Sequence, residues 1–102
     1  MSGAWVYILT CADGSYYTGL TRSEAPEARV WHHNNATEPD SYTATRRPVT
    51  LAYAEHLELV TDAIAAERKI KGWSRAKKEA LIAGNWTLVQ TLSKRRGGKP
   101  KA

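Results

Sequence analysis

The sequence predicts an α+β fold: a three-stranded antiparallel sheet flanked by helices, in the order β-β-α-β-α-α, with room for a short C-terminal helix. Three observations predict it. β-branched and aromatic residues fill two runs on either side of Asp13-Gly14, apolar residues recur at helical spacing after residue 61, and capping residues or glycines stand where elements must change. A small sheet covered by helices buries its apolar faces without closing into a barrel.

Residues 4–10, Ala-Trp-Val-Tyr-Ile-Leu-Thr, have strand composition, and Tyr16-Tyr17-Thr18-Gly19-Leu20 resumes it after the turn. The loop length decides where the tyrosines point. A two-residue loop at Asp13-Gly14 would put Tyr7 and Tyr17 on opposite faces. A three-residue loop, Ala12-Asp13-Gly14 with Gly14 left-handed, sets Tyr17 opposite Leu9 and Tyr7 opposite Gly19, so both phenols share one face. Gly19 is then expected to leave space beside Tyr7 for a substrate backbone. Pro26 suits the first turn of a helix that continues through His33 to Asn34-Asn35. Residues 35–48 read as a loop, crowded with Asn, Thr, Pro, Asp and Ser. A third strand is expected over residues 49–56. The next helix is expected after Thr61 as N-cap, running through Ile70 and stopping at Gly72; Ser74 caps another that ends at Gly84. Trp86, Leu88, Val89 and Leu92 suggest a last short helical segment, with a mobile end from Ser93.

The 102 residues fit one domain, expected over 1–93, followed by a basic flexible tail over 94–102. Large multi-domain enzymes are excluded. No apolar run is long enough for a membrane helix and no secretory leader is visible, so a cytoplasmic protein without membrane partners is expected. Cys11, the single cysteine, forms neither an intrachain disulfide nor a thiolate zinc site, and reads as an apolar filler. Of the 15 Lys and Arg, five lie in the tail from Lys94 to Lys101; removing them leaves ten bases against ten acids. Local clustering therefore matters more than the net charge of +5. Arg68, Lys69, Lys71, Arg75, Lys77 and Lys78 form a run without acids, which suits a polyanion, most often nucleic acid. A solvated helix face would have the same composition.

Val6-Tyr7-Ile8 and Tyr17-Thr18-Gly19 on the hairpin are followed by Arg29 and His33 on the first helix. Arg46-Arg47-Pro48 comes next, then Glu67-Arg68-Lys69-Ile70-Lys71-Gly72-Trp73-Ser74. In this order the sequence resembles the GIY-YIG nuclease superfamily over most of residues 4–83, and within it the small stand-alone UPF0213-like members. The glycine that opens the family's name is Trp5 here, which alters backbone approach at that point. A late asparagine occurs in parts of the superfamily; Asn85 is a candidate for it, and serves equally well as a helix cap.

Arg29 and His33 are four apart and so share a helix face, and a guanidinium fork matches phosphate oxygens at any useful pH. The resemblance implies that Arg29 stabilises charge on the phosphodiester and that His33 is a hydrogen-bonding or proton-transfer partner. His32 is expected to be surface or packing. Glu67 stands in the stripe Ile64, Glu67, Ile70, where a carboxylate needs a cation or a strong donor; a salt bridge to Arg29 or another base would satisfy it too. The resemblance implies a metal ligand, so Mg²⁺ or Mn²⁺ is expected on Glu67. Tyr7 would help deprotonate the attacking water, and Tyr17 would orient the water or a phosphate oxygen. Free tyrosine titrates near pH ~10, so Tyr7 needs a neighbouring base, Arg29 or the metal to assist it. Arg46, Arg47, Lys69, Lys71, Lys77 and Lys78 are expected to contact the nucleic-acid backbone, with Tyr42 in the same loop as the two arginines. Trp73 is expected to pack the joint between two helices.

The expected function is a metal-dependent endonuclease on DNA, on branched, damaged or single-stranded forms, with a protein partner or dimer supplying specificity. The alternatives are a non-catalytic nucleic-acid-binding module on the same fold and a protein-interaction domain.

Overall fold

A computed structural model describes residues 3–22, 25–35 and 43–97, with backbone only for 94–97. Tyr42 and the residues after Gly97 lie outside the described residues. The elements are β1 (Ala4–Thr10), β2 (Tyr16–Thr21), α1 (Pro26–Asn35), β3 (Thr50–Leu57), α2 (Val60–Lys71), α3 (Arg75–Ile82) and α4 (Trp86–Gly97). The chain forms two compact units, 1–71 and 72–102.

In the first unit the sheet order is β2-β1-β3, both pairings antiparallel. β1 lies in the middle because it is the chain's densest apolar strand. Ala4, Val6 and Ile8 are buried on one face and Tyr7 and Leu9 on the other, each at most 1% exposed. Burying an aliphatic or aromatic side chain stabilises by about 1.5–3 kcal/mol, so the strand buried on both faces contributes most to holding this unit. Tyr7, Leu9, Cys11 and Val49 form one buried cluster, with Tyr17, Val30, Leu51 and Ala54 packed against it.

The hairpin takes the three-residue loop. Tyr7 faces Gly19 and Leu9 faces Tyr17. The Cys11 N–H donates to the Ser15 carbonyl at 2.8 Å, the Gly14 N–H donates to the Cys11 carbonyl at 2.9 Å, and Gly14 has φ +85°. The Asp13 carboxylate accepts from the Ser15 hydroxyl at 2.6 Å and the Ser15 N–H at 3.0 Å, which holds its pKa below the usual carboxylate range. On the other side of β1 the register slips between Ile8 and Leu9, which face Tyr53 and Leu51. Ala52 is the extra residue. This bulge explains why polarity along β3 alternates imperfectly.

α1 spans Pro26–Asn35, as the sequence indicates. α2 begins one residue before the expected cap: the Ala63 N–H bonds to the Leu59 carbonyl at 3.1 Å, which draws Thr61 inside the first turn. In the second unit, Ser74 caps α3 by accepting the Lys77 N–H at 3.2 Å, and the chain leaves at Gly84 with φ +74°. Asn85 Oδ1 then accepts the Leu88 N–H at 3.0 Å and opens α4. α4 continues to Gly97, so the last helical segment is longer than the sequence suggests. Val89 is buried, the Ser93 hydroxyl donates to the Val89 carbonyl at 2.9 Å, and no helix breaker intervenes before Gly97-Gly98. Among the described residues no helix is long and apolar enough to cross a membrane.

Candidate active site

The site is built on the first unit. The odd hairpin loop places Tyr7 and Tyr17 on one face, and α1 brings His33 onto it. His33 Nε2 lies 3.3 Å from Tyr7 Oη, and His33 Nδ1 lies 2.9 Å from Thr43 Oγ1. The Tyr17 ring meets the imidazole edge-on at 5.0 Å between centroids, and the Tyr7 ring does so at 6.3 Å. Tyr7 and Thr43 are each 1% exposed and His33 9%, so the whole bonded row is buried.

Burial holds the His33 pKa below the ordinary 6.5, and the positive charges of Arg29 and His32 add to that. His33 is therefore neutral near pH 7, with one nitrogen available as a hydrogen-bond acceptor. Arg29, one turn earlier on α1, is half-buried and close enough to act on the imidazole electrostatically. His32 stands outside this row, edge-on to the exposed Trp31.

Glu67 stands on α2. Lys71 Nζ is 3.0 Å from Glu67 Oε2, and the Lys71 pKa is raised by that hydrogen bond, then by the Glu67 charge and by Tyr17. The Glu67 side chain is 16% exposed, so its carboxylate is largely enclosed and satisfied by a lysine one turn away. A basic partner was one of the two outcomes the sequence left open. Lys71, expected as a phosphate contact, is paired with Glu67 in this structure.

Gly19 corrects one expectation. A Cβ there would lie 2.5 Å from Tyr7 Cζ and Oη, so the space beside Gly19 is filled by the Tyr7 ring and does not admit a substrate backbone. Trp5, at the motif glycine's position, packs edge-on against its cross-strand neighbour His56 at 5.2 Å.

The expected phosphate contacts divide. Arg46 Nε bonds Asp13 at 3.1 Å, and the Arg46 carbonyl accepts the Ala12 N–H at 2.8 Å. Arg47 donates to the Ala44 and Asn34 carbonyls, both at 3.2 Å. These arginines tie the segment before β3 to the hairpin loop and to the end of α1. Lys77 is 7% exposed with its ammonium 4.2 Å from the centre of the Trp73 ring, so it corrects the expectation of a free basic contact. Lys69 is exposed and Lys78 half-buried. Asn85 acts as the cap of α4, the second of its two readings.

Two residues that sequence reasoning passed over matter here. Asn34 accepts the Val49 N–H at 2.7 Å and donates to the Val49 carbonyl at 3.1 Å, fixing α1 against the start of β3. Thr43 lies in a turn before β3 with no periodicity to single it out. Only its contact with His33 reveals it.

Among the described residues no three His, Cys, Asp or Glu side chains cluster to hold a metal. The donor set is one hard carboxylate, Glu67, with a lysine ammonium bonded to it. A carboxylate is a donor of the kind that a hard divalent cation takes alongside water and phosphate oxygens.

Residues 3–80 match the family model described as the GIY-YIG catalytic domain. A UPF0213 protein of Halobacterium salinarum is 45% identical over 77 residues, covering 76% of this chain and 96% of that protein. A UPF0213 protein of Staphylococcus saprophyticus is 41% identical over 83 residues, 81% of this chain and 98% of the relative. The solution NMR structure of a UPF0213 protein from Bacillus halodurans superposes with a TM-score of 0.51 at 34% identity, covering 79% of this chain and 83% of that one. The solution NMR structure of a protein from E. faecalis gives 0.53 at 29% identity, covering 100% and 95%.

Proposed function

The chain belongs to the GIY-YIG family, a nuclease family, and from that premise we propose that it is a divalent-metal-dependent endonuclease that hydrolyses DNA phosphodiesters. The observation that carries the reading is the buried contact between Tyr7 Oη and His33 Nε2 at 3.3 Å. A phenol alone is a poor base at neutral pH. A phenol bonded to a neutral imidazole passes its own proton on as it takes one from water. The attacking water would lose its proton to Tyr7 Oη while the Tyr7 proton moves to His33 Nε2; the hydroxide would add to phosphorus as the bond to the leaving sugar oxygen breaks, and that oxygen would take a proton from solvent. Arg29 would neutralise charge gathering on the phosphate, and Tyr17 would orient the water or a phosphate oxygen. Glu67 would hold the Mg²⁺ or Mn²⁺ ion, which when bound supplies charge stabilisation for the phosphate and the leaving oxygen.

The test is cleavage of labelled single-stranded, duplex and forked DNA with Mg²⁺ or Mn²⁺. Tyr7→Phe is expected to lower kcat by about 10²–10⁴-fold, the usual span for a lost acid–base group. Glu67→Ala is expected to abolish the metal dependence. One observation favours a second reading, a non-catalytic nucleic-acid-binding module: the Lys71 ammonium already satisfies Glu67 at 3.0 Å. DNA binding by the intact protein with no metal-dependent product at any Mn²⁺ concentration would establish that reading instead.

A further inference from the structure

We propose that Thr43 is a positioning residue: its hydroxyl oxygen accepts the Nδ1 proton of neutral His33 and so commits Nε2 to accepting the Tyr7 proton. Its catalytic consequence rests on the nuclease reading, whereas the tautomer follows from geometry and hydrogen-bond chemistry.

A neutral imidazole has one N–H and one lone-pair nitrogen, and each His33 nitrogen faces a hydroxyl. Two assignments are open. In one, Nδ1–H donates to Thr43 and Tyr7 donates to Nε2; in the other, both bonds reverse. A phenol is the stronger proton donor and the weaker acceptor, because its oxygen lone pair is delocalised into the ring. An aliphatic hydroxyl is the better acceptor. The first assignment pairs strong donor with strong acceptor at both ends. It also keeps the Nδ1–H bond to Thr43 when His33 gains the Tyr7 proton, so the imidazolium that forms is held in place.

Thr43 is itself strapped down. Its carbonyl accepts the Arg46 N–H at 3.0 Å, the Arg46 carbonyl accepts the Ala12 N–H at 2.8 Å, and the Arg46 side chain bonds Asp13 at 3.1 Å. The hairpin loop that sets the strand register is thus tied to the turn that carries Thr43. Both partners of His33 are fixed from one place in the fold.

The tautomer can be read directly from long-range ¹H–¹⁵N correlations of the imidazole in histidine-labelled protein at pH 7.5, with His33 assigned by its loss in His33→Gln. The wild type is expected to carry the proton on Nδ1. Thr43→Val, which keeps the shape and removes the oxygen, is expected to move it toward Nε2 and to lower kcat by about tenfold or more with little change in KM. Thr43→Ser is expected to restore the Nδ1–H form and most of kcat. A wild-type proton on Nε2, or a tautomer unchanged in Thr43→Val, would overturn the proposal. Should Thr43→Val fail to fold, the wild type and Thr43→Ser decide. A protein that cleaves no substrate would sink the nuclease reading, while the spectrum would still judge the role of Thr43.

Discussion

His33 concentrates the chemistry of the site in one ring. It touches both tyrosines, faces the Thr43 hydroxyl with its far nitrogen, and feels the Arg29 charge from one turn away. Burial, the largest cause, together with Arg29 and His32, depresses its pKa below 6.5, which fixes the sign of its pH dependence. Between that ordinary value and the lower folded value, the unfolded chain binds the proton and the folded protein does not. The stability contributed is fully present above pH 6.5 and is lost as pH falls through the folded pKa. Urea midpoints taken from pH 7.5 down to 5 should therefore fall further in the wild type than in His33→Gln. An equal fall in both would remove His33 from the account. Arg29→Gln should raise the His33 pKa, seen in a proton NMR titration of the ring.

At the scale of elements, the β1–β2 pairing does more than bury side chains. The three-residue turn sets the face of each phenol, and the Tyr7 ring occupies the space that a side chain at Gly19 would take. Gly19→Ala would drive a methyl group against the Tyr7 ring, and that ring is 1% exposed with nowhere to retreat. The expected cost is about 1–3 kcal/mol, measured as a lower urea midpoint at unchanged m-value. Lost contact between Tyr7 and His33 should accompany it, since the displaced phenol cannot keep a 3.3 Å bond. The register was legible beforehand because strand alternation allows two answers and only one lets the tyrosines meet. The filling of the Gly19 space was not legible, because it depends on a side-chain rotamer under α1.

Across the whole molecule the positive charge is less available than composition suggests. Lys71 is bonded to Glu67, Arg46 to Asp13, Arg75 to Glu79, and Lys77 lies over Trp73. Lys69 is exposed, so it and Lys77 should separate in a binding experiment. Lys69→Ala should reduce the slope of log affinity for duplex DNA against log salt by about one, the mark of one lost phosphate contact. Lys77→Ala should leave that slope unchanged and cost stability, by about 0.5–2 kcal/mol for a cation over an indole. The reverse outcome would mean that Lys77 leaves Trp73 to bind DNA.

The sequence by itself determined the strand and helix order, the cap at Ser74, and the family resemblance of Tyr7, Tyr17, Arg29, His33 and Glu67, and it left two readings each for the hairpin loop and Asn85. These are local or periodic properties, written in neighbouring residues and their spacing. Tertiary structure alone decided that His33 joins Tyr7 to Thr43, that Arg46 reaches Asp13, and that Arg47 reaches the Asn34 carbonyl. Each of these depends on atoms from distant segments arriving within hydrogen-bond reach. No pattern along the chain specifies such contacts, because they arise only when the helix, the hairpin and the loop before β3 are packed together.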